Sequence, residues 1–423
     1  MGTDENDILQ LAEDISVAQT PLRHPSPNSP HILVIGGGVT GLVTSWLLLD
    51  RGYIVTIVSK EWASYGLRQR LTSQISGALW ELPPTECGGV NAVEQKLNDG
   101  DLKTVQEWAQ ESFKIYAKLA QNEEVARASG VKLCTCTSFQ TYRLLDDELK
   151  FRKMELARKI SPDGFQWGLD LARKYGVNTS AFGGLKDAYE HLAPVIDTDM
   201  AMSFLMRLVR VKGASFYTDT IVGNLIDQEA HLLRIYQADA IVNATGMAGE
   251  LASDKEVYPL RGGVLRVIND GSDFPKIESS LIVAADRKDD GTYGDVAFVV
   301  PRSDNILILG SIEQAHEWDL DLKIDSPIIQ KMRERCEELV PALKQARLDP
   351  RYPLAQGLRP YRNSRIRVER EGHAKNGHQS RIVHCYGHGG AGWSLAFGSS
   401  RECVRLIEET IERTKGRDIR ASL

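Results

Sequence analysis

The chain has 423 residues, of which 42% are apolar, 26% charged and 7% aromatic, with a formal net charge of −6. That length can bury a large core and suits two or three domains, and the composition is that of a soluble globular protein. The acidic balance and the lack of any long basic block exclude an electrostatic footprint for nucleic acid. No apolar run approaches a bilayer span, so no membrane partner is expected.

Residues 1–30 open with acids (Asp4, Glu5, Asp7) and lack the charged-then-apolar pattern of a secretion signal. They read as an extension outside the fold proper. A short helix is predicted over 7–16, then a loop punctuated by Pro21, Pro25, Pro27 and Pro30. Ile32–Ile35 follow as a buried parallel strand that runs into Gly36-x-Gly38-x-x-Gly41, with an apolar helix from Leu42 to about Leu49. Gly36 permits the tight turn, Gly38 lets a pyrophosphate approach the backbone, and Gly41 lets the helix pack on the sheet. The helix N-terminus would then face the phosphates. A glycine-rich turn alone is a weak signal, and a purely structural βα turn is the alternative. Here the flanking strand and helix supply the context of a dinucleotide site.

A second strand is predicted over Tyr53–Val58. In the usual fingerprint an acid closes it and binds a ribose hydroxyl. Ser59 holds the nearest place here, and Glu61 comes two residues late. From Arg68 to Trp80 the chain is polar and small. Thr72 and Ser73 could donate hydroxyls to phosphate, or the segment could be an ordinary surface loop. Residues 102–121 have helical spacing with an apolar stripe, strands are plausible at Val131–Cys136 and Phe139–Leu144, and 150–175 look helical and charged, broken at Pro162-Asp163-Gly164. Asp197 or Thr198 can cap a helix from Met200 to Val211, followed by a strand at Ala214–Tyr217. Ala240–Gly246 reads as a buried strand that ends in small residues. Strands are predicted at Gly263–Ile268, Ser280–Ala284, Ala297–Val300 and Ile306–Leu309, a helix over 327–338, and a closing helix from Leu395 to about Lys415.

The six cysteines (Cys87, Cys134, Cys136, Cys336, Cys385 and Cys403) form no CxxC pair. They read as reduced, intracellular thiols, and no metal is expected. The terminal Ala421-Ser422-Leu423 is a poor version of a peroxisomal signal, so the expected compartment is cytoplasmic or peroxisomal.

A second glycine-rich helix start lies in Val383-His-Cys-Tyr-Gly-His-Gly-Gly-Ala-Gly-Trp-Ser394. With the turn at 36–41 and the strand at 240–246 it spreads one cofactor site over some 350 residues, interrupted by insertions. That arrangement suits FAD better than NAD, whose site normally occupies one continuous βαβ region.

From about His31 to the C-terminal helix, these stretches resemble the D-amino-acid oxidase family of FAD enzymes. The most specific match is Ile382 to Gly392, with a further glycine at Gly398; Cys385 and Ser400 stand where the family has Asn and Ala. Thr72-Ser73 before Gly77-Ala-Leu-Trp80, Gly357-Leu-Arg-Pro360 and Arg365-Ile-Arg-Val-Glu-Arg370 also look like family segments. The resemblance implies an α/β fold. Its Rossmann-like FAD-binding domain would come from 31–85, 197–256 and 375–423, and its β-rich substrate and interface domain from 86–196 and 257–374. The FAD contacts implied are Gly36, Gly38, Val39, Thr40 and Gly41, Ser59, Thr72 and Ser73, Ile221, Thr245, and Gly389, Gly390, Gly392, Trp393 and Ser394.

By the same resemblance Arg359 clamps the substrate carboxylate, which a planar guanidinium matches through two parallel hydrogen bonds. A structural arginine paired with Glu369 or Glu371 is the alternative. Tyr293 corresponds to a lid tyrosine, Phe298 replaces a second family tyrosine, Gly390 lines the flavin, and Trp80 helps to shape the pocket. Arg287, Arg302 and Arg362 are the cations that could serve an acidic substrate. His384 and His388 invite a general-base reading but read more readily as structural, because hydride transfer to the flavin needs orientation rather than a dedicated base. The expected activity is oxidation of a D-amino acid by FAD and O2 to an imine, hence a 2-oxo acid and ammonia, with hydrogen peroxide. A related oxidase acting on a larger amine or specialised metabolite is the alternative, favoured by Phe298. A homodimer is compatible with the resemblance.

Overall fold

The computed structural model describes residues 10–66, 69–83, 99–284, 296–372, 374–375 and 378–421. The chain passes through one sheet three times and through a second sheet in the two intervals between. It opens with β1 (His31–Ile35), α1 (Val39–Asp50) and β2 (Ile54–Ser59), then leaves for α2 (Asp99–Gln121), β3 (Val131–Gln140), α3 (Glu148–Ile160) and β4 (Asp187–Ile196). It returns with α4 (Thr198–Val211), β5 (Ser215–Thr218), α5 (Leu225–Ile235) and β6 (Ala240–Asn243). The second excursion holds β7 (Val257–Ile268), β8 (Ser280–Ala284), β9 (Ala297–Pro301), β10 (Ile306–Gly310), α6 (Pro327–Leu339) and β11 (Leu354–Arg362). β12 (Arg367–Arg370), β13 (Ile382–Tyr386) and α7 (Ala396–Ala421) complete the first layer.

The first sheet has the order β12-β13-β6-β1-β2-β5 and is parallel except for β12. Strands covered on both faces need continuous apolar runs, and Ile32, Leu33, Val34, Ile241 and Val242 are fully buried. α1 and α7 cover one face, with Trp46 set edge-on to Phe204 and Phe397. The second sheet runs β7-β10-β9-β8-β3-β4, with β11 pairing along the other side of β7. Among the described residues no helix is long and apolar enough to cross a membrane.

Several expectations need correction. Residues 11–22 of the N-terminal stretch do not lie outside the fold. Leu11, Ile15 and Val17 are buried, and Gln10–Ala12 pairs with Ile15–Ser16 where a helix was expected. The dock is Asp50, whose carboxylate accepts from Ser16 N–H (2.9 Å), Leu22 N–H (3.1 Å), Trp46 Nε1–H (3.0 Å) and Lys212 Nζ (2.5 Å). Prolines forbid regular hydrogen bonding, but they do not prevent an irregular segment from donating to a buried carboxylate.

The two strands expected at 131–136 and 139–144 are one, β3, because pairing with β4 continues through Gln140. Asp197 is the cap of α4, accepting from Asp199 N–H and Met200 N–H. Two segments assigned to the substrate domain also meet the first layer. β12 forms its outer edge, and α2 crosses α7 at Gly398, where a Cβ would lie 2.2 Å from Trp108 Cα.

Candidate active site

A cavity of about 600 Å3 lies where the carboxyl ends of β1, β2 and β6 meet β7, β9 and β11. This is the crevice that open parallel sheets leave for ligands. Its first wall is the glycine turn. Gly36 has φ +125°, and a Cβ there would stand 2.3 Å from the Ala244 carbonyl, so only glycine lets the turn meet the end of β6. A Cβ on Gly41 would be 2.0 Å from the Gly36 carbonyl, which is the close helix-to-turn packing expected of that position. Gly38 precedes α1 without a capping side chain, and the first turn carries no acid. Ser73 Oγ takes the Val39 N–H, and the rest of the positive end of α1 is left to an anion.

Of the residues singled out as cofactor contacts, Gly36, Gly38, Val39, Thr40, Ser59, Thr72, Ser73, Ile221, Thr245, Gly389, Gly390, Gly392 and Trp393 line this cavity. Gly41 and Ser394 do not; Gly41 packs behind the turn, and Ser394 Oγ accepts from Glu81 N–H. The hydroxyls expected to meet phosphate or ribose are engaged within the protein. Ser59 Oγ donates to the Glu61 carbonyl (2.7 Å) and accepts from Gly37 N–H (3.1 Å). Thr72 Oγ1 donates to the Leu358 carbonyl (3.1 Å), and Ser73 Oγ accepts from Val39 N–H (3.1 Å). Trp393 Nε1 donates to the Ser73 carbonyl, tying the second glycine cluster to the turn at 72–75.

At the other end, Arg359 projects from β11. Residues directly opposite in an antiparallel pair share a face, as do residues two apart. Gly357 pairs with Gly262, and Arg359 with Leu260, so two bare glycines lie beside the arginine on its own face. The guanidinium lies over Gly262, where a Cβ would be 2.5 Å from its Cζ. Nη1 donates to the Ile312 carbonyl (3.1 Å) and Nη2 to Ser311 Oγ (2.9 Å). Among the described residues no carboxylate pairs with it. The two acids named as structural partners are bound elsewhere, Glu369 to Arg367 and Arg365, and Glu371 to His384 and Arg367. The positioning role of Gly262, Ser311 and Ile312 escaped sequence reasoning. The available signal was Gly262-Gly263 inside a strand pattern, a mark of close approach.

Phe298 is buried on β9 and lines the cavity; its ring edge lies where a Cβ on Gly77 would be 3.0 Å away. Val264, Val300, Leu79 and Pro360 add apolar wall, and Trp318 stands at the cavity while 58% exposed. Tyr293 and Arg287 lie outside the described residues. Trp80 does not shape the cavity. It packs on Phe113 and donates Nε1–H to the Ala109 carbonyl. Nor do Arg302 and Arg362 reach in as cations. Arg302, its pKa lowered to about 10 by burial, is bound to Thr198 Oγ1 and the Ser76 carbonyl, and Arg362 pairs with Asp254 and Glu256.

The lining carboxylates among the described residues are Glu61, Asp219 and Glu250, which follow β2, β5 and β6. One end of the cavity thus has glycine backbone, a helix N-terminus and acids beyond it; the other has one guanidinium among apolar side chains. A long ligand with a pyrophosphate fits this lining: the anion against α1, and the rest along Gly389–Gly392. Gly389 itself (φ +55°) lies against the Tyr361 ring, 2.6 Å from a built Cβ, which leaves its other side bare backbone. His388 lines the cavity with Nε2 3.0 Å from Ser399 Oγ, whereas His384 is buried behind it. Among the described residues no group of three or more His, Cys, Asp or Glu is placed to hold a metal.

Comparison with known proteins agrees with this geometry. A family model described as "DAO: FAD dependent oxidoreductase" matches residues 31–406. The chain is 27% identical over 384 residues to a D-amino-acid oxidase from Rubrobacter xylanophilus, covering 88% of this chain and 94% of that protein. A D-aspartate oxidase from Homo sapiens is 26% identical over 397 residues, with coverage of 91% and 96%. The solved glycine oxidase from Geobacillus kaustophilus superposes with a TM-score of 0.65 at 17% identity, covering 90% of this chain and 95% of that one, a likeness of fold.

Proposed function

The chain belongs to the DAO family of FAD-dependent oxidoreductases, and from that membership we propose that it oxidises a neutral D-amino acid to the imine, and thus to a 2-oxo acid and ammonia, with O2 reduced to hydrogen peroxide. One observation carries the reading: the guanidinium of Arg359 is held at the cavity by Ser311 and Ile312, and among the described residues no carboxylate lies against it.

Held along the Gly36–Gly41 turn and Gly389–Gly392, FAD would supply the two-electron acceptor for the hydride of the substrate Cα, with O2 as the final oxidant. The rest falls to the side chains. Arg359 engages the carboxylate through a planar fork, which fixes which face of Cα is presented. Ser311 and Ile312 keep that fork from swinging. Phe298, Val264 and Val300 exclude water and give an apolar side chain a dry wall. His384, buried with hydrogen bonds on both ring nitrogens, takes no proton from the amine.

The relatives include proteins named D-aspartate oxidase, but an acidic side chain would find no second cation among the described lining residues at the Arg359 end. Trp318 at the cavity favours the second reading, a larger amine whose distal part meets an indole. The test is a peroxide assay over neutral, acidic and basic D-amino acids and bulky amines, with Arg359→Ala as control. Neutral D-amino acids are expected to be turned over, and the variant should lose about 100-fold or more in kcat/KM for them. Unchanged activity in Arg359→Ala would defeat the carboxylate-clamp reading.

A further inference from the structure

Three features of the motifs have no part in the site so far described: the edge strand β12 with Arg367, the acid Glu371 that follows it, and His384 on β13. They form one hydrogen-bonded line that ends at the cavity. Arg367 Nη2 lies 3.4 Å from Glu371 Oε2, and Glu371 Oε2 lies 3.0 Å from His384 Nε2. His384 Nδ1 is 3.2 Å from Asn243 Nδ2, and Asn243 Oδ1 accepts from Thr245 Oγ1 at 2.7 Å. Glu371, His384 and Asn243 are buried, while Thr245 lines the cavity.

The direction of every bond in the line follows from its first member. A carboxylate beside Arg367 only accepts, so His384 carries its proton on Nε2. Burial pushes the His384 pKa down, against the pull of Glu371, and keeps the ring neutral, so Nδ1 is an acceptor. Asn243 must then turn its NH2 to the imidazole and its oxygen to Thr245. The one hydroxyl proton of Thr245 is spent on that oxygen. What the threonine offers to the cavity is lone pairs.

We propose that Glu371, His384 and Asn243 are positioning residues that hold Thr245 as a hydrogen-bond acceptor for a donor group of bound FAD. The inference rests on the FAD reading of the cavity and is independent of the substrate. FAD carries such donors in its ribityl hydroxyls and its ring imide. The arrangement also explains why an acid and a histidine of opposite strands are buried together at the sheet edge: the pair sets a polarity, and Asn243 transmits it.

The experiment is a double-mutant cycle read by FAD affinity, from the flavin fluorescence released when holoenzyme is diluted, alongside the visible absorption of the bound flavin. Thr245→Val should weaken FAD binding about ten-fold, the scale of one lost hydrogen bond, and Thr245→Ser should stay close to the parent. Glu371→Gln is nearly isosteric but can donate to the imidazole, so it should weaken binding similarly and alter the flavin absorption. In the Thr245→Val background Glu371→Gln should have no further effect. Full, additive weakening there would mean that Glu371 acts only on the fold and would overturn the proposal, as would parental FAD affinity in Thr245→Val. A yellow protein that makes no peroxide from any D-amino acid would refute the proposed substrate class and leave this cycle decisive for the relay.

Discussion

Gly262 is the most exacting test of how the site is built. In Gly262→Ala the new methyl would lie 2.5 Å from Arg359 Cζ and 2.6 and 2.7 Å from its two terminal nitrogens. Carbon atoms in contact settle at about 3.5–4.0 Å, so the guanidinium has to retreat by about 1 Å. Such a shift stretches its bonds to Ile312 and Ser311, now 3.1 and 2.9 Å, toward the limit of hydrogen bonding. The backbone pays little, because the displaced group is the end of a flexible side chain. The loss should therefore appear in substrate handling. A misplacement of about 1 Å costs about 100-fold, which is about 2.7 kcal/mol of transition-state stabilisation. The assay is kcat/KM for a neutral D-amino acid by peroxide release, with FAD content and melting temperature measured on the same preparations. A folded, FAD-loaded Gly262→Ala enzyme within about three-fold of the parent would refute the claim that the bare glycine floor positions the clamp.

Two further outcomes concern stability. Asp50→Ala leaves Lys212 buried without its counter-charge and frees the N-terminal segment; a cost of about 3–5 kcal/mol in denaturant unfolding is expected, with new protease cleavage within 10–30. A loss under about 1 kcal/mol would show that the buried pair is not what docks that segment. His191 is held neutral by burial, with its pKa lowered from 6.5 to about 4, Lys153 adding to the effect and the Leu192 carbonyl opposing it. The unfolded chain binds the proton more readily, so this contribution is complete above pH 6.5 and is lost as pH falls toward 4. The stake is about 3 kcal/mol. His191→Gln should flatten the decline across that window, and an unchanged pH profile of unfolding would count against a buried neutral ring.

The parts that could be read from the sequence are those whose cause is local. The strand, glycine turn and helix at 32–50 need only an apolar run, missing Cβ atoms and a helix start, and the structure places them as expected, with α1 beginning three residues earlier at Val39. The division into two interleaved sheets followed from where three such elements fall along the chain, and Arg359 came from a family pattern. What the tertiary structure decided was who meets whom across long separations. Thr72, Ser73 and Ser59 carry hydroxyls suited to a phosphate, yet each closes a bond to a backbone partner that only folding brings near. Trp80 is aromatic beside a predicted pocket, and α2 claimed it. Asp50 and Lys212 are 162 residues apart, and nothing in either neighbourhood announces that the pair would anchor the N-terminal segment. Residue type and spacing encode backbone conformation, because sterics act between neighbours. Which donor ends on which acceptor is settled only when the sheets close and every buried polar group has to find a partner.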